Sequence, residues 1–144
     1  MSIIKPFVPW EAKDPFGAAL YQEEDFSLQQ WPIKLWKVPD TSPYFHRAHL
    51  LLAADCVGFS YAKLHEKLTP GRIPLICCPE NDFEIAAKLA GILRMNDIQS
   101  ITVVRMDAPC CAELTDLAMQ AVKLSKKAIP LRTTTIFVNC EIVD

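Results

Sequence analysis

The chain has 144 residues, 15 Lys and Arg against 17 Asp and Glu, a formal net charge of −2 and a hydrophobic fraction of 51%. That length suits one domain around a single core, and the balanced charge gives no electrostatic basis for binding nucleic acid or an anionic membrane. No apolar run approaches the roughly 20 residues of a membrane helix, and MSIIKPFVPW lacks the apolar core and cleavage site of a signal peptide, so a cytoplasmic location is expected. In that setting the six cysteines read as thiols or metal ligands, not as a disulfide framework.

Six of the eleven prolines (Pro6, Pro9, Pro15, Pro32, Pro39, Pro43) precede His49, and each holds itself and its predecessor in extended or turn geometry. Residues 1–30 are therefore expected to form a proline-rich arm, and residues 31–144 a single domain. Within the opening third, Phe16–Leu28 could make a short helix, and Trp31–Val38, where Ile33, Leu35 and Trp36 are interspersed with lysines, reads as an edge strand. Trp10, Trp31 and Trp36 read as anchors packing the arm on the core, or else as an interface for a partner.

From His49 the pattern becomes strand, helix, strand, helix. Leu50–Ala54 is a continuous apolar run, as in a strand covered on both faces, and Phe59–Leu68 puts Tyr61, Leu64, His65 and Leu68 on one helical stripe. Thr69-Pro70-Gly71-Arg72 has the type II turn pattern, and Leu75–Cys78 reads as the next strand with Pro74 at its entry. A second helix is expected from an Asn81 cap paired with Glu84, with Ala86, Leu89, Ala90 and Leu93 buried, ending near Asn96. Ile101–Met106 is the central strand. A third helix is expected from Pro109 or Cys110, with Leu114, Leu117, Ala118, Ala121 and Val122 inward and Lys123, Lys126 and Lys127 toward its negative end. Thr133–Val138 closes the chain. The alternation implies an α/β fold of Rossmann or flavodoxin type: about five mostly parallel strands in a three-layer α/β/α arrangement with right-handed crossovers.

The four glycines (Gly17, Gly58, Gly71, Gly91) form neither G-x-G-x-x-G nor G-x-x-x-x-G-K, which disfavours a dinucleotide or P-loop site. There is no G-x-S-x-G elbow. The chemistry-bearing residues are instead cysteines. Cys77 and Cys140, within or beside strands, read as packing residues, whereas Cys56, Cys78, Cys110 and Cys111 sit just past strand ends. Parallel neighbours about 4.8 Å apart would crowd those ends into one crevice. A helix starting at Pro109 would further lower the thiol pKa of Cys110 and Cys111. His65 could join them, as the fourth ligand if Cys110 or Cys111 faces the core, although a histidine on an apolar stripe is more often a core residue. Asp55 and Asp107 flank the same edge, as caps or as acceptors behind the ligands. Four thiolates suit zinc or an iron-sulfur cluster.

The segments QWP, AADC, the His65 helix, CCPEND, NDIQSITVVRMDAPCC and the closing strand, from Gln30 onward, resemble the C-terminal region of bacterial and archaeal ferredoxin-type iron-sulfur proteins. Members of that group carry a C-x-x-C-x-x-C-x-x-x-C ferredoxin domain, and this chain has no such run. Where the similar proteins have G-C-P-K, this chain has Cys77-Cys78-Pro79-Glu80, and where they have C-C-G-G it has Cys110-Cys111-Ala112-Glu113. The resemblance implies a metal- or iron-sulfur-associated accessory protein of redox metabolism acting through a protein partner, with a homodimer as one arrangement. Two other readings stand beside it: a thiol-based redox enzyme using Cys110 or Cys111, and a non-catalytic interaction module.

Overall fold

A computed structural model describes residues 31–139 and 141–144. The expected arm of residues 1–30, with its Phe16–Leu28 helix and Trp10, lies outside the described residues, as does Cys140.

Five strands form one sheet: β1 (His49–Ala54), β2 (Ile73–Cys77), β3 (Ser100–Met106), β4 (Leu131–Ile136) and β5 (Ile142–Val143). Their order is β2-β1-β3-β4-β5, with the first four parallel and β5 antiparallel to β4. The apolar runs account for this. Leu50, Leu51 and Leu52 in β1 and Val103 and Val104 in β3 are wholly buried or nearly so, as expected of central strands in a parallel sheet. β4 begins and ends two residues earlier than the sequence suggests. The chain then turns back, with the Phe137 amide donating to the Glu141 carbonyl at 2.9 Å, and adds the short β5.

Among the described residues four α-helices connect the strands: α1 (Val57–Ser60), α2 (Leu64–Lys67), α3 (Ile85–Met95) and α4 (Leu114–Ser125). The single helix expected over 59–68 is instead two isolated turns. Tyr61 takes an extended conformation at the end of α1 (φ −121°, ψ 101°), which breaks the helical ladder and leaves its ring buried while Phe59 is fully exposed. The turn before β2 is as expected: the Arg72 amide donates to the Thr69 carbonyl at 2.9 Å, with Gly71 at φ +76°. A Cβ at Gly71 would meet no atom within 4 Å, so only the left-handed backbone opposes a side chain there. Gly71→Ala is expected to lower stability by about 1 kcal/mol, read from urea unfolding at unchanged slope.

Helix α3 starts three residues later than the Asn81 cap would place it. The Asp82 carboxylate is turned away toward Cys78 and Lys34, and Glu84 enters the helix with left-handed φ of 54° and no capping hydrogen bond. Helices α3 and α4 pack on one another, and Leu89 and Leu93 of α3 and Leu114, Ala118 and Ala121 of α4 are all buried in the core. Lys127, past the end of α4, serves its neighbour: its Nζ donates to the Leu93, Arg94 and Asn96 carbonyls at 2.8, 3.1 and 3.0 Å. It thereby satisfies the open carbonyls of the α3 C-terminus with a favourable charge.

The segment before β1 belongs to the same core. It forms no edge strand, only one parallel bridge between Lys34 and Ile76, yet Leu35, Val38 and Phe45 are buried. Lys88 of α3 fastens it by donating to the Val38 carbonyl and Asp40 Oδ1 at 2.7 and 2.6 Å.

Candidate functional site at the carboxyl edge of the sheet

The chain runs from β1 outward to β2, then crosses back over β1 to β3. Connections therefore diverge between β1 and β3, and the crevice at the carboxyl ends of such a pair is where open α/β sheets receive ligands. Asp55 and Cys56 leave β1 there, and Asp107 to Cys111 leave β3. Backbone bonds extend the ladder one residue further on each side: the Asp55 amide donates to the Cys77 carbonyl at 3.0 Å, and the Asp107 amide to the Ile136 carbonyl at 2.8 Å.

The two adjacent cysteines do not open α4. Ala108 is extended, Pro109–Cys111 forms a separate 3-10 turn, and α4 begins at Leu114. Cys110 is exposed and Cys111 buried, because neighbouring residues on so tight a turn point different ways. The expectation that a helix terminus lowers both thiols is corrected at Cys111. Burial pushes its thiol up, a backbone hydrogen bond from Met106 opposes this, and Cys110 and Cys56 push it further up. The Cys110 contribution includes a hydrogen bond in which Cys111 keeps its proton. Cys56, exposed on the loop after β1, is near enough for its charge to bear on the same thiol.

Cys78 and His65 are placed elsewhere. Cys78 follows β2, on the far side of β1, and its amide donates to Asp82 Oδ2 at 2.7 Å. His65 is exposed on α2. Among the described residues no group of three or more His, Cys, Asp or Glu side chains is placed to hold a metal ion. The set Cys56, Cys78, Cys110, Cys111 and His65 is therefore not gathered around one point, since β1 separates the β2 and β3 ends.

A second polar group beside the crevice has no local signal in the sequence. Lys34 Nζ lies 2.8 Å from Asp55 Oδ2 and 3.3 Å from Asp82 Oδ2, contacts spanning 21 and 48 residues. Burial alone would lower the Lys34 ammonium, but the hydrogen bond and charge of Asp55, with those of Asp82, hold it above its ordinary value. Asp55 Oδ1 is buried without a hydrogen-bond partner among the described residues. A lysine with a raised folded pKa contributes stability that is complete below about pH 10.4 and is lost as pH rises through the folded value. Lys34→Met is expected to cost roughly 1 kcal/mol at neutral pH, discounted for solvent screening. Paired urea denaturation curves of the parent and the variant at neutral pH read that cost. Cys77, between this group and the core, is wholly buried. Its thiol is pushed up to about 12, chiefly by burial, then by Asp82 and Asp55.

A family model described as a Rossmann-like domain matches residues 42–144. An uncharacterised protein of Archaeoglobus fulgidus is 25% identical over 89 residues, 60% of this chain, and the match spans 62% of that relative's length. No solved structure matches the chain significantly. No helix among the described residues is long and apolar enough to cross a membrane.

Proposed function

Since the chain belongs to the family of this Rossmann-like domain, we propose that its switch-point crevice is a thiol site, and that the protein is a thiol-based redox protein with Cys110 as the attacking sulfur. What supports this reading is the position of exposed Cys56 just past β1 and of exposed Cys110 and buried Cys111 just past its neighbour β3, with the charges of Cys110 and Cys56 bearing on the Cys111 thiol. In the reaction, the Cys110 thiolate attacks a substrate disulfide, forms a mixed disulfide and expels one substrate thiolate. Cys56 then attacks the Cys110 sulfur and releases the second. The substrate disulfide gains two electrons, and the protein is left with a Cys56–Cys110 disulfide. Cys111, which keeps its proton, hydrogen-bonds the Cys110 sulfur. Helices α3 and α4 together, opposite α1 and α2 in a three-layer arrangement, hold the two loops on a fixed frame.

The substrate is a protein. Phe59, Phe83 and Val138 follow the carboxyl ends of β1, β2 and β4 and are 100%, 77% and 86% exposed. So much apolar surface around one edge suits a docking partner. The metal- or iron-sulfur-associated reading rests on the resemblance and on the cysteines that follow strand ends, and among the described residues no group of three or more His, Cys, Asp or Glu side chains adds to it.

Anaerobic iodoacetamide labelling with and without chelator separates the two. The thiol reading expects one fast-alkylating cysteine, Cys110, at a rate indifferent to chelator, and a Cys56–Cys110 disulfide by mass spectrometry after mild oxidation. Joint protection of several thiols, released only by chelator, would overturn it in favour of bound metal.

A further inference from the structure

The amino ends of the same strands build a chemically different place, at the opposite edge of the sheet. The parallel register sets His49 beside Ser100 and Thr102 beside Arg132, and alternation along β3 puts Ser100 and Thr102 on one face. Leu50 pairs with Ile73, so Arg72, delivered by the Gly71 turn, comes up beside His49. These five residues line a cavity of about 490 Å³, a volume in the range of small-molecule sites.

The polar half of the lining is made of donors, and Pro70, Gly71, Ile101, Pro130 and Leu131 make up the rest. The lining contains two guanidinium groups, an imidazole and two hydroxyls, and no acidic side chain. His49 Nδ1 and Ser100 Oγ lie 2.6 Å apart. Arg72 is half-buried and uses one N–H on the Leu68 carbonyl at 2.7 Å. Burial, then the like charge of Arg132, disfavour the Arg72 cation, and Asp144 only partly opposes them, its carboxylate being engaged by the Thr134 hydroxyl at 2.8 Å. Two like charges converging on a donor-lined hollow carry an electrostatic cost that a bound anion relieves.

We propose that this cavity binds a small phosphorylated molecule, its phosphate held between the Arg72 and Arg132 guanidinium groups and its remainder lying along Ser100 and Thr102. The planar five-donor fork of arginine matches phosphate oxygens in pairs, and the cavity has room for more than the phosphate. The site stands independently of the cysteine edge.

The test is isothermal titration of the full chain with pyrophosphate as probe, at constant ionic strength set with chloride. Saturable binding is expected. Arg132→Gln, at an exposed position, should weaken it at least about tenfold, and Arg132→Lys, which keeps the charge and loses the fork, should weaken it less. Lys123→Gln makes the same charge change elsewhere and should leave it unaltered. Absence of saturable binding would overturn the site, as would equal weakening by R132Q and K123Q, which marks diffuse attraction only. Thermal melts show whether each variant is folded. If R132Q is not, R132K against K123Q decides by the same criterion.

Discussion

Between about pH 9 and pH 12 one buried thiol will withdraw on the order of 4 kcal/mol of stability from this protein. Cys77 is wholly inaccessible in β2, and its thiol is pushed from about 9 to about 12. The unfolded chain loses that proton first. Over the interval the folded state holds more protons than the unfolded one, so stability falls as pH rises, by about 1.4 kcal/mol per pH unit for one proton. Below pH 9 both states are protonated and the contribution is complete. Cys111, also raised, and Lys34 lose stability in the same direction, so the total slope does not isolate Cys77. A difference does. Cys77→Ala should be less stable at pH 7, for its lost packing, by an amount that shrinks steadily above pH 9 and reverses before pH 12. A constant gap between parent and variant across that range would show that water reaches the thiol. The same burial makes Cys77 the last cysteine to react with iodoacetamide in the native protein, which keeps it out of the labelling experiment on Cys110.

The strands of this fold were legible because central parallel strands carry signals that local sequence cannot imitate. Leu50–Ala54 is an unbroken apolar run and Ile101–Met106 a run rich in β-branched residues, and both are strands within one or two residues of those bounds. Helix starts were less legible wherever a side chain had a distant use. Asn81 and Glu84 have the spacing of a capping box, but Asp82 is drawn to Lys34, which lies 48 residues earlier, and the helix begins only at Ile85. Pro109 begins a helical turn as expected, yet a 3-10 turn, so Cys111 is governed by burial and not by a helix terminus. At the site, Cys56 and the pair Cys110 and Cys111 follow neighbouring strand ends because β1 and β3 pair in parallel. Cys78 did not join them because strand order, which sequence does not encode locally, puts β1 between β2 and β3. The amino-edge cavity gave no motif at all. Arg72, His49, Ser100 and Arg132 are scattered over four segments, and only the register lines them up.

Leu35→Ala and Phe45→Ala are each expected to cost several kcal/mol, about 2–5 for the leucine and 3–5 for the phenylalanine. Both side chains are 0% exposed, although both precede the first strand. The Leu35 amide donates to the Ile76 carbonyl at 2.9 Å, and the Ile76 amide to the Ile33 carbonyl at 2.9 Å. Through these bonds the segment covers the outer edge of β2 and keeps an apolar strand from offering an open ladder to another chain. Trp36, four-tenths exposed, is joined to Phe83 by a hydrogen bond to its carbonyl at 2.7 Å and by ring contact at 6.2 Å. Trp36→Ala should therefore cost only about 1 kcal/mol, the value of a surface pairing and not of a core residue. Deleting residues 1–30 leaves every contact described here in place and is expected to preserve a cooperative melt. Deleting residues 1–41 removes Leu35, Val38 and the Asp40 partner of Lys88 together, and should abolish that melt at ordinary temperature. Urea denaturation of the three point variants and thermal melts of the two deletions decide the matter. A Leu35→Ala cost below that of Trp36→Ala would mean that the segment lies on the sheet without being part of its core, and the domain would then begin at the family match, residue 42, instead of residue 31.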